Sequence, residues 1–283
     1  MSRLRQRSLT WLVLGFGFAF LYLPILILMV YSFNESRLAT VWSGFSVKWY
    51  GELFRDQQML QAAWISLKIA FWTATAAMVL GTLAALVMTR MRRFPGKTLF
   101  GALITAPLVM PEVITGLSML LLFIKMWELT GWPERGLTTV IIAHVTFTLS
   151  YVAVVMRSRF LTLDLSLEEA AQDLGAKPLK VFFVITLPIV APAIVSGWLL
   201  GFTISLDDLV ITNFTNGPGT TTLPQIVFSK VRLGLDPKIN ALASIIIAIV
   251  SIGVIFATIH MRRQEAQRQR DEQMAIRAIA AHS

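Results

Sequence analysis

The chain has no cysteine, which excludes disulfides, thiol catalysis and Cys-based metal sites. Charge is scarce too: 14% of its 283 residues are Asp, Glu, Lys or Arg, against about a quarter in ordinary soluble domains. The three histidines, His144, His260 and His282, are far apart and form no ligand cluster, so no metal is expected. No G-x-x-x-x-G-K-[ST] loop is present, so the chain lacks that device for hydrolysing a nucleotide, and no cofactor of its own is expected. No repeat of solenoid period is visible. What is abundant is apolar: 55% of residues are hydrophobic, and the mean hydropathy is +0.68. The fold class is therefore all-α, a polytopic membrane protein of a size that suits one bundle over 1–283.

Six stretches are apolar and long enough to span, approximately 8–33, 66–89, 99–125, 137–156, 189–214 and 239–260; about 20 residues cross a bilayer. The first begins with Arg3, Arg5 and Arg7, but it is too long for a signal peptide and no A-x-A site follows. Pro24 should kink it, and Pro107 and Pro111 should break the third span. His144 falls mid-span and reads as a hydrogen-bonded interior residue. Between the first two spans, Trp42, Phe45, Trp49, Tyr50 and Leu53 recur at helical spacing, as in a segment on the membrane surface or at the mouth of the bundle. Thr215 to Lys238 is a loop punctuated by Gly and Pro, and 261–283 is a charged tail, read as a solvated helix.

A net charge of +9 could suggest nucleic acid. Its distribution gives another reason. If the N-terminus is cytoplasmic, sixteen of the 25 Lys and Arg fall in inner segments and nine on or near the outer side. The positive-inside rule then places both termini and the 157–188 loop in the cytoplasm. The basic excess is topology, and nucleic acid is rejected as a partner.

That inner loop holds the longest polar insert, Glu168-Glu169-Ala170-Ala171-Gln172-Asp173-Leu174-Gly175-Ala176-Lys177-Pro178, running on to Leu187-Pro188. Ser166 and Glu169 fit an S-x-x-E capping box, so a short helix should start there. Leu167, Ala170, Ala171 and Leu174 place one small apolar stripe along it. Gly175 fits the position after the helix, Pro178 the first turn of a second helix, and Pro188 its stop. Such a hook between spans reads as a docking knob for a soluble partner.

Glu169-Ala170-Ala171, Gly175 and Ile185-x-Leu187-Pro188, at these intervals, resemble the EAA loop of ABC-importer membrane subunits, the permeases. The resemblance implies a type I ABC-importer permease fold with six transmembrane helices in a bacterial inner membrane. It also implies that Glu168, Glu169, Ala170, Ala171, Asp173, Leu174 and Gly175 belong to a helix seated on an ATPase, which uses the ATP.

Ionisable groups at bilayer depth are costly unless they face a cavity or a partner. Three acids meet that description: Glu112, Asp207 and Asp208. Counted along their spans at about 1.5 Å per residue, Glu112 and Asp207 reach similar depths. Asp207 and Asp208 point about 100° apart on a helix, so one should line a path while the other braces a neighbouring helix. Carboxylates at that depth suit a cationic substrate, with Trp49 and Tyr50 able to add cation–π faces at the outer mouth. Each residue also has a plain structural reading: Asp207 or Asp208 capping a helix break, Glu112 satisfying donors freed by Pro111, Trp49 anchoring at the interface.

Ala106-Pro107 through Pro111-Glu112, Phe202-Thr203 through Asp207-Asp208-Leu209, and Thr222-Leu223-Pro224 on to Asn240-Ala241-Leu242-Ala243 resemble the polyamine (putrescine/spermidine) branch of these permeases. Nearly all of 9–260 is covered. The resemblance implies polyamine import, putrescine foremost, with a periplasmic substrate-binding protein, two ATPase subunits and a second homologous permease in a heterodimer. The alternatives are a permease of the same kind for another small solute, or an ion-coupled secondary transporter.

Overall fold

The structure is a computed structural model that describes residues 2–37, 41–91, 93–233, 236–253, 255 and 259. The charged tail over 261–283, the end of the sixth expected span, His260, His282 and Arg92 lie outside the described residues. Two compact units are resolved, one of residues 1–56 with 230–283 and one of residues 57–229.

In the first unit, α1 (Ser2–Tyr31) runs unbroken through Pro24. An isolated antiparallel bridge, Asn34 to Phe45, closes the following loop, and α2 (Lys48–Arg55) packs Trp49 and Leu53 inward. Asp56 meets two lysines, with Lys238 Nζ at 2.6 Å and Lys230 Nζ at 3.5 Å. Asp236 accepts from Lys230 Nζ at 2.8 Å, so four charges hold this end of the unit together.

The second unit is built on α3 (Gln57–Arg90), α6 (Leu137–Leu161) and α9 (Leu187–Asp207). Lipid gives helices little hydrophobic reason to associate, so membrane helices approach through small residues. Here Ala77, Ala85, Gly81, Gly197 and Gly201 form that seam, with Val152, Met156 and Phe160 of α6 filling it. Among the described residues of both units, five helices are long and apolar enough to cross a membrane: Thr10–Tyr31, Gln57–Arg90, Glu112–Thr130, Leu137–Leu161 and Pro178–Asp207. The sixth expected span is represented by a shorter apolar helix, α12 (Pro237–Gly253).

The third expected span is two helices, α4 (Lys97–Val109) and α5 (Glu112–Thr130). Pro107 sits inside α4 without ending it, and the break falls at Met110-Pro111, both in extended conformation. The fifth expected span also stops early, at Asp207; α10 (Val210–Thr215) follows the extended Asp208. α11 (Leu223–Leu233) lies beyond α10, its first N–H bonded to Ser66 Oγ at 2.8 Å.

Pro188 does not stop a helix, contrary to the sequence expectation. α8 (Pro178–Val181) passes through a π-helical turn, Phe182–Thr186, directly into α9. In that turn Leu187 N–H bonds Phe182 O, five residues back. The wider turn accommodates a proline that would otherwise clash with the carbonyl four residues back.

Candidate functional site

Two helix breaks face one cavity. The chain leaves α4 at Val109, and α5 begins on Glu112; it leaves α9 at Asp207, and α10 begins on Val210. Both breaks contribute to a cavity of about 360 Å³ lined by Glu112, Phe147, Tyr151, Ile204, Asp207, Asp208, Leu209 and Val210. The three acids singled out in the sequence therefore meet. No Lys or Arg is in that lining.

The acids differ in what they touch. Asp208 turns back onto the chain: the Thr212 N–H donates to its Oδ1 at 2.8 Å and the Thr212 hydroxyl at 3.0 Å. His144 Nε2 lies 3.1 Å from the same oxygen. The His144 ring is buried, its Nδ1 2.8 Å from Ser205 Oγ and its Nε2 2.9 Å from Thr212 Oγ1, the interior hydrogen-bonded role expected of it. Asp208 thus ties the start of α10 to α6, as one of the pair was expected to do. Asp207 and Glu112, by contrast, make no side-chain hydrogen bond to another described residue. Glu112 does not serve the donors freed at Pro111; Ile114 and Thr115 N–H bond the Pro111 carbonyl instead.

Trp49 and Tyr50 belong to the first unit, whereas the cavity lining comes wholly from the second. Trp49 is 2% exposed, and its Nε1–H donates to Asn34 O at 2.6 Å. Lys48 Nζ sits 4.7 Å from its ring centre, a cation already on that face. The Tyr50 hydroxyl is 2.7 Å from Ser32 Oγ.

On the 157–188 loop, α7 (Ser166–Asp173) forms where expected, with Gly175 following at φ +85, a conformation that glycine adopts without a Cβ penalty. The capping box does not form. Ser166 is the first helical residue, and Asp164 accepts its N–H at 3.0 Å. That bond, with a second to the Ser166 side chain, holds the exposed Asp164 carboxyl below its ordinary value. No α7 residue is buried. Leu174, just beyond it, is 90% exposed, and Glu169, Ala170, Asp173 and Gly175 are exposed as well. Glu168 is different. Its Oε1 accepts from Arg90 Nη2 at 2.6 Å and from Thr186 Oγ1 at 2.8 Å.

Sequence reasoning missed Arg90 and Thr186 as partners of this loop, because Arg90 read as a topology charge and Thr186 carries no local signal. It also missed Phe147 and Tyr151, which are ordinary aromatics of a span until the fold sets them beside the acids.

Comparison with known proteins places this geometry. Residues 77–270 match the binding-protein-dependent transport system inner membrane component family. The chain is 59% identical to the putrescine transport system permease protein PotI of Escherichia coli (strain K12) over 94% of each chain. It is 40% identical to the spermidine/putrescine transport system permease protein PotC of Haemophilus influenzae, over 85% of this chain and 91% of that one. Among solved structures, a bacterial ABC transporter involved in the import of alginate superposes with a TM-score of 0.70 at 15% identity, covering 92% of this chain and 97% of that one. The MetNI methionine ABC transporter superposes with a TM-score of 0.58 at 16% identity, over 70% and 92%. With that match and these relatives, the chain belongs to the inner membrane components of binding-protein-dependent transport systems, with the fold of an ABC-importer permease and no enzyme activity of its own.

Proposed function

We propose that the chain is the membrane subunit of an ATP-driven importer for polyamines, putrescine foremost. The observation that carries this reading is the cavity where Glu112, Asp207 and Asp208 converge with two aromatic rings and no basic residue. A diammonium chain must shed water to cross, and carboxylates replace it, with aromatic faces adding about 0.5–2 kcal/mol per cation. Glu112 and Asp207 hold the ammonium groups, and Asp208 positions the wall. Trp49 and Tyr50, each partnered within its own unit, anchor the outer segment. The similarity to permeases named for putrescine and for spermidine/putrescine supports the same substrate class.

In this reading both termini are cytoplasmic, as the basic residues indicate. A periplasmic binding protein delivers substrate, and two ATPase subunits seat on residues 166–188 of this permease and of a second, homologous one. Uptake of labelled putrescine in cells is the test. Glu112→Gln and Asp207→Asn should each lower it at least tenfold with the protein still present in the membrane. Unchanged transport in both variants would rule out the cation site. Docking is checked separately: an ATPase should co-purify with the wild-type protein and be lost with Glu169→Lys.

A further inference from the structure

We infer that Glu168 is a positioning residue that transmits movement of the inner loop to the membrane helices; this rests on the reading of that loop as the ATPase seat. The helix α7 is held to the rest of the protein by very little. None of its residues is buried, and among the described residues Glu168 is its only side chain hydrogen-bonded to another element. That one carboxylate is bonded on two sides. Arg90 ends α3, and Thr186 ends the π turn that feeds α9. The Glu168 side chain is 14% exposed and Arg90 24%, so the pair is sheltered from screening that weakens surface ion pairs.

The partners matter more than the pair. α3 and α9 are two of the three helices packed along the glycine and alanine seam. α9 then runs 21 residues, about 31 Å at 1.5 Å per residue, and ends on Asp207 in the cavity. A push on α7 therefore has a bonded route to the cavity wall, from the Glu168 carboxylate to Thr186 and along α9. The π turn sets the geometry: one extra residue in a turn rotates the downstream helix by about 100°, and it is in this register that the Thr186 hydroxyl meets Glu168. π turns are rare and frequently occur at functional sites. Leu167, Glu169, Ala170, Asp173 and Gly175 are exposed and free for the partner, so seating and transmission fall to different residues of one short helix.

The test uses the assembled transporter in membranes and three readouts: ATPase co-recovered with the permease, ATP hydrolysis stimulated by loaded binding protein, and labelled putrescine uptake. Glu168→Ala and Arg90→Ala should keep co-recovered ATPase within about twofold while uptake and stimulated hydrolysis fall on the order of tenfold, the scale of a typical coupling between sites. Thr186→Val, which removes one hydroxyl and little volume, should give a smaller fall of the same kind and guards against simple misfolding. Exchanging the charges, Glu168→Arg with Arg90→Glu, should restore part of the uptake that either change alone removes. Normal uptake in Glu168→Ala overturns the inference. So does loss of the ATPase in that variant, which would make Glu168 part of the seat and leave the docking reading intact. If no ATPase accompanies the wild-type protein either, the docking reading falls and takes this inference with it.

Discussion

His144 Nε2 and Asp208 Oδ1 lie 3.1 Å apart, joining α6 to the start of α10 behind the acid cavity. Asp207, one residue earlier, has no such partner and lines the cavity. Two adjacent aspartates therefore do different work, and their amide variants should separate. Asp208→Asn should lower stability by about 1–3 kcal/mol, because it leaves buried donors poorly served. Asp207→Asn should leave stability nearly unchanged and lower uptake. Thermal unfolding of the purified proteins in detergent, set beside uptake in cells, distinguishes the two.

The seam between α3 and α6 admits no added methyl. A Cβ on Gly81 would sit 2.8 Å from Val152 Cγ1 and 3.1 Å from the Ala153 backbone nitrogen. Gly81→Ala should cost about 1–3 kcal/mol, as overpacked cores do. Gly51, in α2, has nothing within 4 Å of the same position. Gly51→Ala should be neutral or stabilising by up to about 1 kcal/mol, since alanine favours a helix. The melting temperature should fall for Gly81→Ala and hold or rise for Gly51→Ala.

Gly175 offers a third case, in which space is ample and the backbone decides. Nothing lies within 4 Å of an added Cβ, yet φ is +85. Gly175→Ala should destabilise the end of α7 by about 1–2 kcal/mol from the left-handed conformation alone. Limited proteolysis of the loop that carries α7 should accelerate, while the global melting temperature, set by the helix seam, barely moves.

The four charges of the first unit give a pH dependence. Burial alone would raise the Asp236 carboxyl, but the hydrogen bonds and charges of Lys230 and Lys238 outweigh it and hold it below the ordinary carboxylate value. A depressed native pKa means that the unfolded chain takes up the proton first. Its stabilising contribution is therefore full above the ordinary carboxylate value, about 3.9, and is lost as pH falls through the lower native one. Asp236→Asn should be less stable than wild type at neutral pH, and the difference should shrink below about pH 4. A melting series from pH 7 to pH 3 checks the sign; a gap that widens in acid would contradict it.

Much of this was legible because its causes are local. The apolar lengths, the glycine at the end of α7, the proline opening α8 and three acids inside apolar runs each have a signature within a few residues. The acids could be placed at matching depth by counting along helices, and they do share a cavity. What could not be read depends on contacts distant in sequence or on subtle backbone geometry. The Glu168–Arg90 bond spans 78 positions. The π turn at Phe182–Thr186 differs from an α turn by one hydrogen-bond step, which no residue preference announces. Ser166 is the first helical residue rather than the cap, and its N–H goes to Asp164, two residues earlier. Pro107 and Pro111 read alike as helix breakers, yet only the second coincides with a break.

The extended residues at Met110-Pro111 and at Asp208, ψ near 130° in each case, flank the acid cavity on two sides. Each strip is nevertheless fastened by a few bonds of its own: Met110 N–H reaches Ala106 O, the Pro111 carbonyl takes the Ile114 and Thr115 N–H groups, and the Asp208 carboxylate takes the Thr212 N–H. The spacing of Glu112 and Asp207 therefore rests on two stretches of non-helical backbone as well as on the packing of the helices around them.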